Sequence, residues 1–159
     1  MACEERLCMD EKSICMMQEA LEDVGKWIYY ITDAAKQHNV PWNIITEGIK
    51  KAGAYIGYTE FSRTPDLKEL LEELEKSDFF RAHEIHVIQS NASMFELELG
   101  YIPVIEAACN CPGDEACKEG FKEAYMAVFQ GVFETYGLAV NVKESSTDGR
   151  KWKLNISRL

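Results

Sequence analysis

The sequence predicts an α+β fold: N-terminal helices followed by a four-stranded antiparallel sheet built as hairpin, helix, hairpin. Three observations carry this prediction. In the first half, apolar residues recur at helical steps of three and four, as in Met17, Leu21, Val24, Ile28, Ile31 and Ala35. In "EIHVIQSNASMFELELG" the period drops to two, with Phe95, Leu97 and Leu99 pointing one way and Glu96 and Glu98 the other. A second alternating pair, "LAVNVKE" and "KWKLNIS", closes the chain. Helices and strands grouped in blocks favour antiparallel strands with helices on one face.

The elements follow in order. The first helix runs from Asp10 to Gln37 and stops near "QHNVP", because Pro41 disfavours helical geometry at Val40 and is suited to open the next helix. The second carries Ile45, Ile49, Ala52 and Ile56 on one face. "GYTEFSRTPD" is a loop, and Thr64-Pro65 reads as cap and first turn of a short third helix with Leu67, Leu70, Leu71 and Leu74 inward. "SNAS" turns the first hairpin. A strong helix from about Glu115 to Tyr136 has Phe121, Ala124, Val128, Val132 and Tyr136 along one stripe and packs on the sheet through Phe121, Val128 and Val132. Gly137 ends it as a left-handed cap. "SSTDGR" links the last two strands.

Composition narrows the function. A chain of 159 residues is expected to form a single domain over 1–159, with a core that needs no disulfide staples. A formal net charge of −10 argues against nucleic acid and against an anionic membrane surface. No apolar run reaches the length of a membrane span. "MACEERLCMDEK" lacks an apolar signal region, so a cytoplasmic location is expected, with the six cysteines free or metal-bound.

Chemistry concentrates in "AACNCPGDEAC", residues 107 to 117. Pro112-Gly113 turns the chain, and Asp114 is suited to cap the helix that follows. Cys117 then stands in the first helical turn, where free N–H groups and the helix dipole stabilise a thiolate. It also continues the buried stripe through Phe121, and burial raises a thiol pKa. Plain packing, a reactive thiol and a metal site all remain open. Cys109, Cys111 and Cys117 offer three soft ligands, so zinc or iron is the one cofactor the loop admits, although the spacing matches no usual zinc pattern. Cys3, Cys8 and Cys15 join such a site only if the N-terminus folds back onto the loop. Cys111, beside the turn, is expected to be exposed, and Cys109 to belong to the core. His83 and His86 share a face only if their segment is helical, and two surface histidines are the simpler reading. Glu96 and Glu98 read as a solvated strand face.

Two stretches resemble the L-2-amino-thiazoline-4-carboxylic acid hydrolase family, small cytoplasmic α+β proteins common in anaerobic bacteria. They are "FELELGYIPVIEAA", a strand running into a Pro-started helix, and the tail "LAVNVKESSTDGRKWKLNIS". Where that family shows a Cys-Pro pair this chain has Ile102-Pro103, and Trp152 stands near a family cysteine. A family nucleophile at the Cys-Pro position is therefore lost, or its role has moved to Cys109, Cys111 or Cys117. The order of elements is also similar, more loosely, to vinyl-reductase-type hydrocarbon-binding domains, which hold a ligand between helices and a small sheet. Trp27, Tyr29, Tyr30, Trp42, Tyr55 and Tyr58 would line that cleft.

Two function classes follow. One is a small-molecule hydrolase that opens a cyclic amidine or thiazoline ring. In it the Cys117 thiolate attacks carbon, Cys111 acts as partner and Asp114 handles protons. The other is a non-catalytic module that binds or senses a small ligand or a metal.

Overall fold

The computed structural model describes residues 9–159. Its first helix, α1 (Met9–Gln37), stops where Asn39 takes a left-handed φ of 64°. The Asn39 and Val40 amides then donate back to the Lys36 and Ala35 carbonyls at 3.0 Å each. This double closure is a Schellman end, and Asn tolerates its left-handed position better than most side chains. Pro41 is extended, and α2 (Trp42–Thr59) starts directly after it. The cap of α3 (Leu67–Lys76) is Asp66, whose side chain accepts from the Lys68 and Glu69 amides. It lies just beyond the Thr64-Pro65 pair expected from sequence; Thr64 Oγ1 instead accepts from the Asp66 amide at 3.1 Å. Ser77 both closes α3 and caps a short α4 (Asp78–Arg81) that the sequence pattern does not reveal.

Four strands form one antiparallel sheet: β1 (Ile85–Ser90), β2 (Met94–Leu99), β3 (Leu138–Glu144) and β4 (Trp152–Arg158), in the order β1-β2-β4-β3. The expected α+β fold is thus what the chain adopts. Asn91 Oδ1 builds the first turn by accepting from the Ser93 and Met94 amides at 2.9 and 3.1 Å. In the second link Gly149 is left-handed at φ 70°, and Trp152 Nε1 donates to its carbonyl at 3.0 Å. Phe95, Leu97, Leu99, Trp152, Leu154 and Ile156 are buried on the inner face. Glu96 and Glu98 lie on the other, opposite Asn155 and Lys153 of β4.

Three helical segments join the two hairpins, α5 (Pro103–Asn110), α6 (Glu115–Tyr125) and α7 (Ala127–Glu134), and α7 with the end of α6 lies on the inner face. The single helix expected over about 115 to 136 divides at Met126, where the Phe129 amide turns back to the Met126 carbonyl at 3.2 Å. Gly137 does close the segment in left-handed geometry, at φ 67°. The face laid on the sheet also differs from expectation. Phe129 and Phe133 meet Trp152 and Phe95 edge-on, at 6.1 and 6.2 Å. Val128 is buried but turns its backbone toward α2, where it meets Gly53. Helix α7 buries both Val128 and Phe129 and leaves only Gln130 and Glu134 toward solvent, so a single-stripe pattern misassigns its faces.

Helices α1 and α2 form an outer layer seated through glycines. A Cβ on Gly25 of α1 would lie 2.7 Å from the Val104 carbonyl oxygen of α5. Gly25, Tyr29 and Thr32 are the buried side of α1, with Leu21 and Ile28 half-buried beside them. Val24 and Ile31, expected on the inner stripe, are exposed. No described helix is long and apolar enough to cross a membrane.

Candidate functional site

The loop between α5 and α6 closes over the inner side of α1. Asp114 caps α6 as the sequence predicts, its Oδ1 accepting from the Ala116 amide at 3.2 Å, and it is exposed. Cys117 sits in the first turn of α6 and is only 8% exposed. Burial pushes its thiol above the ordinary range, and Asp33 of α1 adds to this by charge and hydrogen bonding, with Asp114 contributing further. Lys36 pulls the other way and does not prevail. The dipole argument for a stabilised thiolate is therefore outweighed: the helix end carries partial positive charge, but burial against α1 and two carboxylates hold the proton on sulfur.

Cys111 closes α5 and is buried, contrary to the exposed position expected beside the turn. Its Sγ donates to the Ala107 carbonyl at 3.2 Å, which folds the side chain inward. Cys109 is half-buried at the edge of the core, and burial raises its thiol, partly offset by Arg150 and Lys122. Lys118 is buried beside it and donates to the Cys109 carbonyl at 3.2 Å.

All three thiols are free. Among the described residues, no three His, Cys, Asp or Glu side chains gather as metal ligands. Cys3 and Cys8 lie outside the described residues. Cys15 is disulfide-bonded, which corrects the expectation that every cysteine is free or metal-bound. That expectation rested on the redox poise of a compartment, which says nothing of which sulfurs meet.

Two further residues complete the cluster. Tyr29 is fully buried, and its hydroxyl has no hydrogen-bond partner among the described residues. It lies directly under the Pro-Gly turn: a Cβ on Gly113 would come within 2.4 Å of the hydroxyl oxygen. Burial pushes the phenol up to about 12, with Cys117, Asp33, Cys111 and Asp114 adding to the shift. Asp33 follows Tyr29 by one helical turn, so both project from one side of α1. Sequence reading flags Tyr29 only as an aromatic and passes over Asp33. The i, i+4 pair was visible, but nothing in the sequence shows that it faces the cysteine loop.

The histidines separate as well. His86 is exposed on β1, while His83 is fully buried rather than at the surface. His83 Nδ1 lies 2.7 Å from the Phe79 carbonyl, and its ring packs edge-on against Phe129 at 5.6 Å. The aromatics expected to line one cleft are dispersed. Trp27 and Tyr30 are exposed on α1, Tyr55 and Tyr58 on α2, and Trp42 covers Gly120 of α6.

A different concavity is present. A groove of about 590 Å³ runs between the start of α3 and the β1–β2 turn. Leu67, Leu71 and Phe95 form its floor, with Lys68, Asn91 and Arg158 at its rim. The chain matches no protein-family model and no curated protein.

Proposed function

We propose that the chain is a non-catalytic binding module for a small molecule that joins an apolar body to a carboxylate or similar anion. The groove between α3 and the β1–β2 turn is the observation that carries this reading. Its volume of about 590 Å³ suits a small ligand. Leu67, Leu71 and Phe95 offer buried apolar surface, and Lys68 and Arg158 offer positive charge beside it. Arg158 is held by a 2.8 Å bond from Nη2 to the Pro65 carbonyl, and a guanidinium has further donors for an anion. Asp66, the acid at this rim, is engaged in capping α3.

The hydrolase reading asks more of the cysteine loop. It needs a thiolate open to substrate, and Cys117 is buried, protonated and flanked by carboxylates.

The test titrates octanoate, an aliphatic carboxylate, into the protein and follows backbone amide shifts. We expect shifts confined to residues around 67–71, 90–95 and 158, with binding weakened about tenfold in Arg158→Gln. Absence of shifts there, together with hydrolysis of 2-amino-thiazoline-4-carboxylate that Cys117→Ala abolishes, would establish the enzyme instead.

A further inference from the structure

The outward side of α1 carries a regular apolar seam. Met17, Ala20, Val24, Trp27, Ile31 and Ala34 advance by three, four, three, four and three residues, the a/d spacing of a coiled coil. The seam faces away from the rest of the fold: Trp27 is 73% exposed, Ile31 64% and Val24 44%. Ala20 and Ala34 are exposed too, and only Met17, at its edge, is half-buried. Met16 and Tyr30 widen the patch. A solvated helix carries charge along its outward line, whereas here Glu22, Lys26 and Asp33 run along one edge, and exposed Asp23, beside Trp27, is paired with Lys26 at 2.8 Å.

We propose that this face pairs with the same face of a second copy of the chain, antiparallel, in a two-fold dimer. Residue size selects the partner and the direction. In antiparallel pairing, with the axis between Val24 and Trp27, Trp27 meets Val24 of the other copy, Ile31 meets Ala20 and Met17 meets Ala34. Each layer then sets a larger side chain against a smaller one, which fills space evenly. Parallel pairing sets Trp27 against Trp27 and alanine against alanine, overfilling one layer and leaving gaps in two. A self-complementary patch of this kind is what a two-fold interface requires. At about 150–250 Å² for each large aromatic, the exposed side chains offer on the order of 500 Å² per copy, or about 1,000 Å² in total. That reaches the lower bound of a specific interface and implies a weak, reversible dimer. Each copy carries a net charge of −10, so salt should tighten the pair by screening repulsion. The same charge disfavours the other surface such a helix suits, an anionic membrane.

Sedimentation equilibrium of the full chain between about 1 and 200 μM tests this, since weak dimers dissociate across that range. We expect a monomer–dimer equilibrium that strengthens with salt. Ile31→Glu should weaken it about 100-fold by burying a lone charge, and at concentrations where the parent is a monomer should leave the melting temperature unchanged because residue 31 is exposed in the single chain. Direction is read from two single variants, Ala20→Cys and Ile31→Cys, oxidised alone and mixed, with the parent chain as control. Antiparallel pairing crosslinks the mixture and not either variant alone, because like positions then stand about 16 Å apart along the helices. A monomer throughout the range overturns the proposal, as does a dimer indifferent to Ile31→Glu, or a variant that crosslinks to itself. A monomer that co-sediments with phosphatidylcholine vesicles overturns it in favour of a membrane surface.

Discussion

A Cβ on Gly53 of α2 would stand 1.9 Å from the carbonyl oxygen of Val128 on α7. The approach is reciprocal, since a Cβ on Gly131 of α7 would lie 2.1 Å from the Lys50 carbonyl oxygen. The outer helical layer is thus seated backbone on backbone, and no rotamer change relieves an added methyl group. Gly53→Ala must push the helices apart, at a cost of about 3 kcal/mol or more, the upper end for overpacking. Gly48, also on α2, has nothing within 4 Å of its Cβ position. There alanine should stabilise the protein by about 1 kcal/mol through helix propensity. Urea unfolding of the two variants checks both signs, and equal effects would mean that the helices do not meet at Gly53.

His83 makes stability depend on acid. Burial pulls its imidazole down to about 4, opposed only in part by the bond to the Phe79 carbonyl. The unfolded chain takes up a proton at about pH 6.5, and the folded chain refuses it until about pH 4. Stability is therefore complete above pH 6.5 and falls as pH drops through this window, by roughly 3 kcal/mol in full. Unfolding of the parent and of His83→Leu at pH 7 and pH 4.5 isolates the effect. The variant should lose distinctly less stability between the two; equal losses would place the acid response elsewhere.

The periodic parts of the fold were legible in the sequence, and the parts set by tertiary neighbours were not. Phe95, Leu97 and Leu99 alternate cleanly because one face of β2 is buried and the other solvated, so sheet and inner face follow from the pattern. The Asp114 cap and the Gly137 stop are local devices and are read locally. Val128 and Phe129 could not be told apart in this way, because both are apolar and both are buried, one toward α2 and the other toward the sheet. Val24 and Ile31 fit an inward stripe by spacing alone, yet point outward because Gly25, which spacing arguments ignore, gives α1 its close seat on α5. The same holds at the cysteine loop. That Cys117 follows a helix cap is a sequence fact, but its surroundings depend on Asp33 and Tyr29, which lie about 80 residues earlier in the chain.

Thiol labelling should reflect those surroundings. With its proton held by burial and by the Asp33 and Asp114 carboxylates, Cys117 should react with iodoacetamide more slowly at pH 7 than a free cysteine in a peptide. The same shift acts on stability: the folded chain keeps its thiol proton above the pH at which the unfolded chain releases it, so stability falls as pH rises past the ordinary thiol range. Mass-spectrometric labelling over time at pH 7 and pH 9 checks the rate. Asp33→Asn, which removes the principal charge, should speed Cys117 labelling severalfold without changing Cys109. If Cys117 labels fastest of the three in the parent protein, the burial account is wrong and the nucleophile reading returns.

The hydroxyl of Tyr29 supplies the sharpest test of how the loop is built. It is buried beneath Gly113 with no partner among the described residues, so folding strips it of water and returns no hydrogen bond. The ring has a separate role, packing edge-on against Phe121 at 5.8 Å. Tyr29→Phe keeps that ring and removes only the stranded oxygen. It should therefore raise stability by about 1 kcal/mol, whereas removing a satisfied buried hydroxyl lowers it by a similar amount. It should also abolish the part of the alkaline stability loss that falls between pH 10 and about 12, the window over which the unfolded phenol ionises and the folded one does not. Thermal unfolding at pH 7 and pH 11 reads both effects. A Tyr29→Phe variant less stable than the parent at pH 7 would show that an ordered water or another group completes the hydroxyl, and that the space under Gly113 is an occupied polar site.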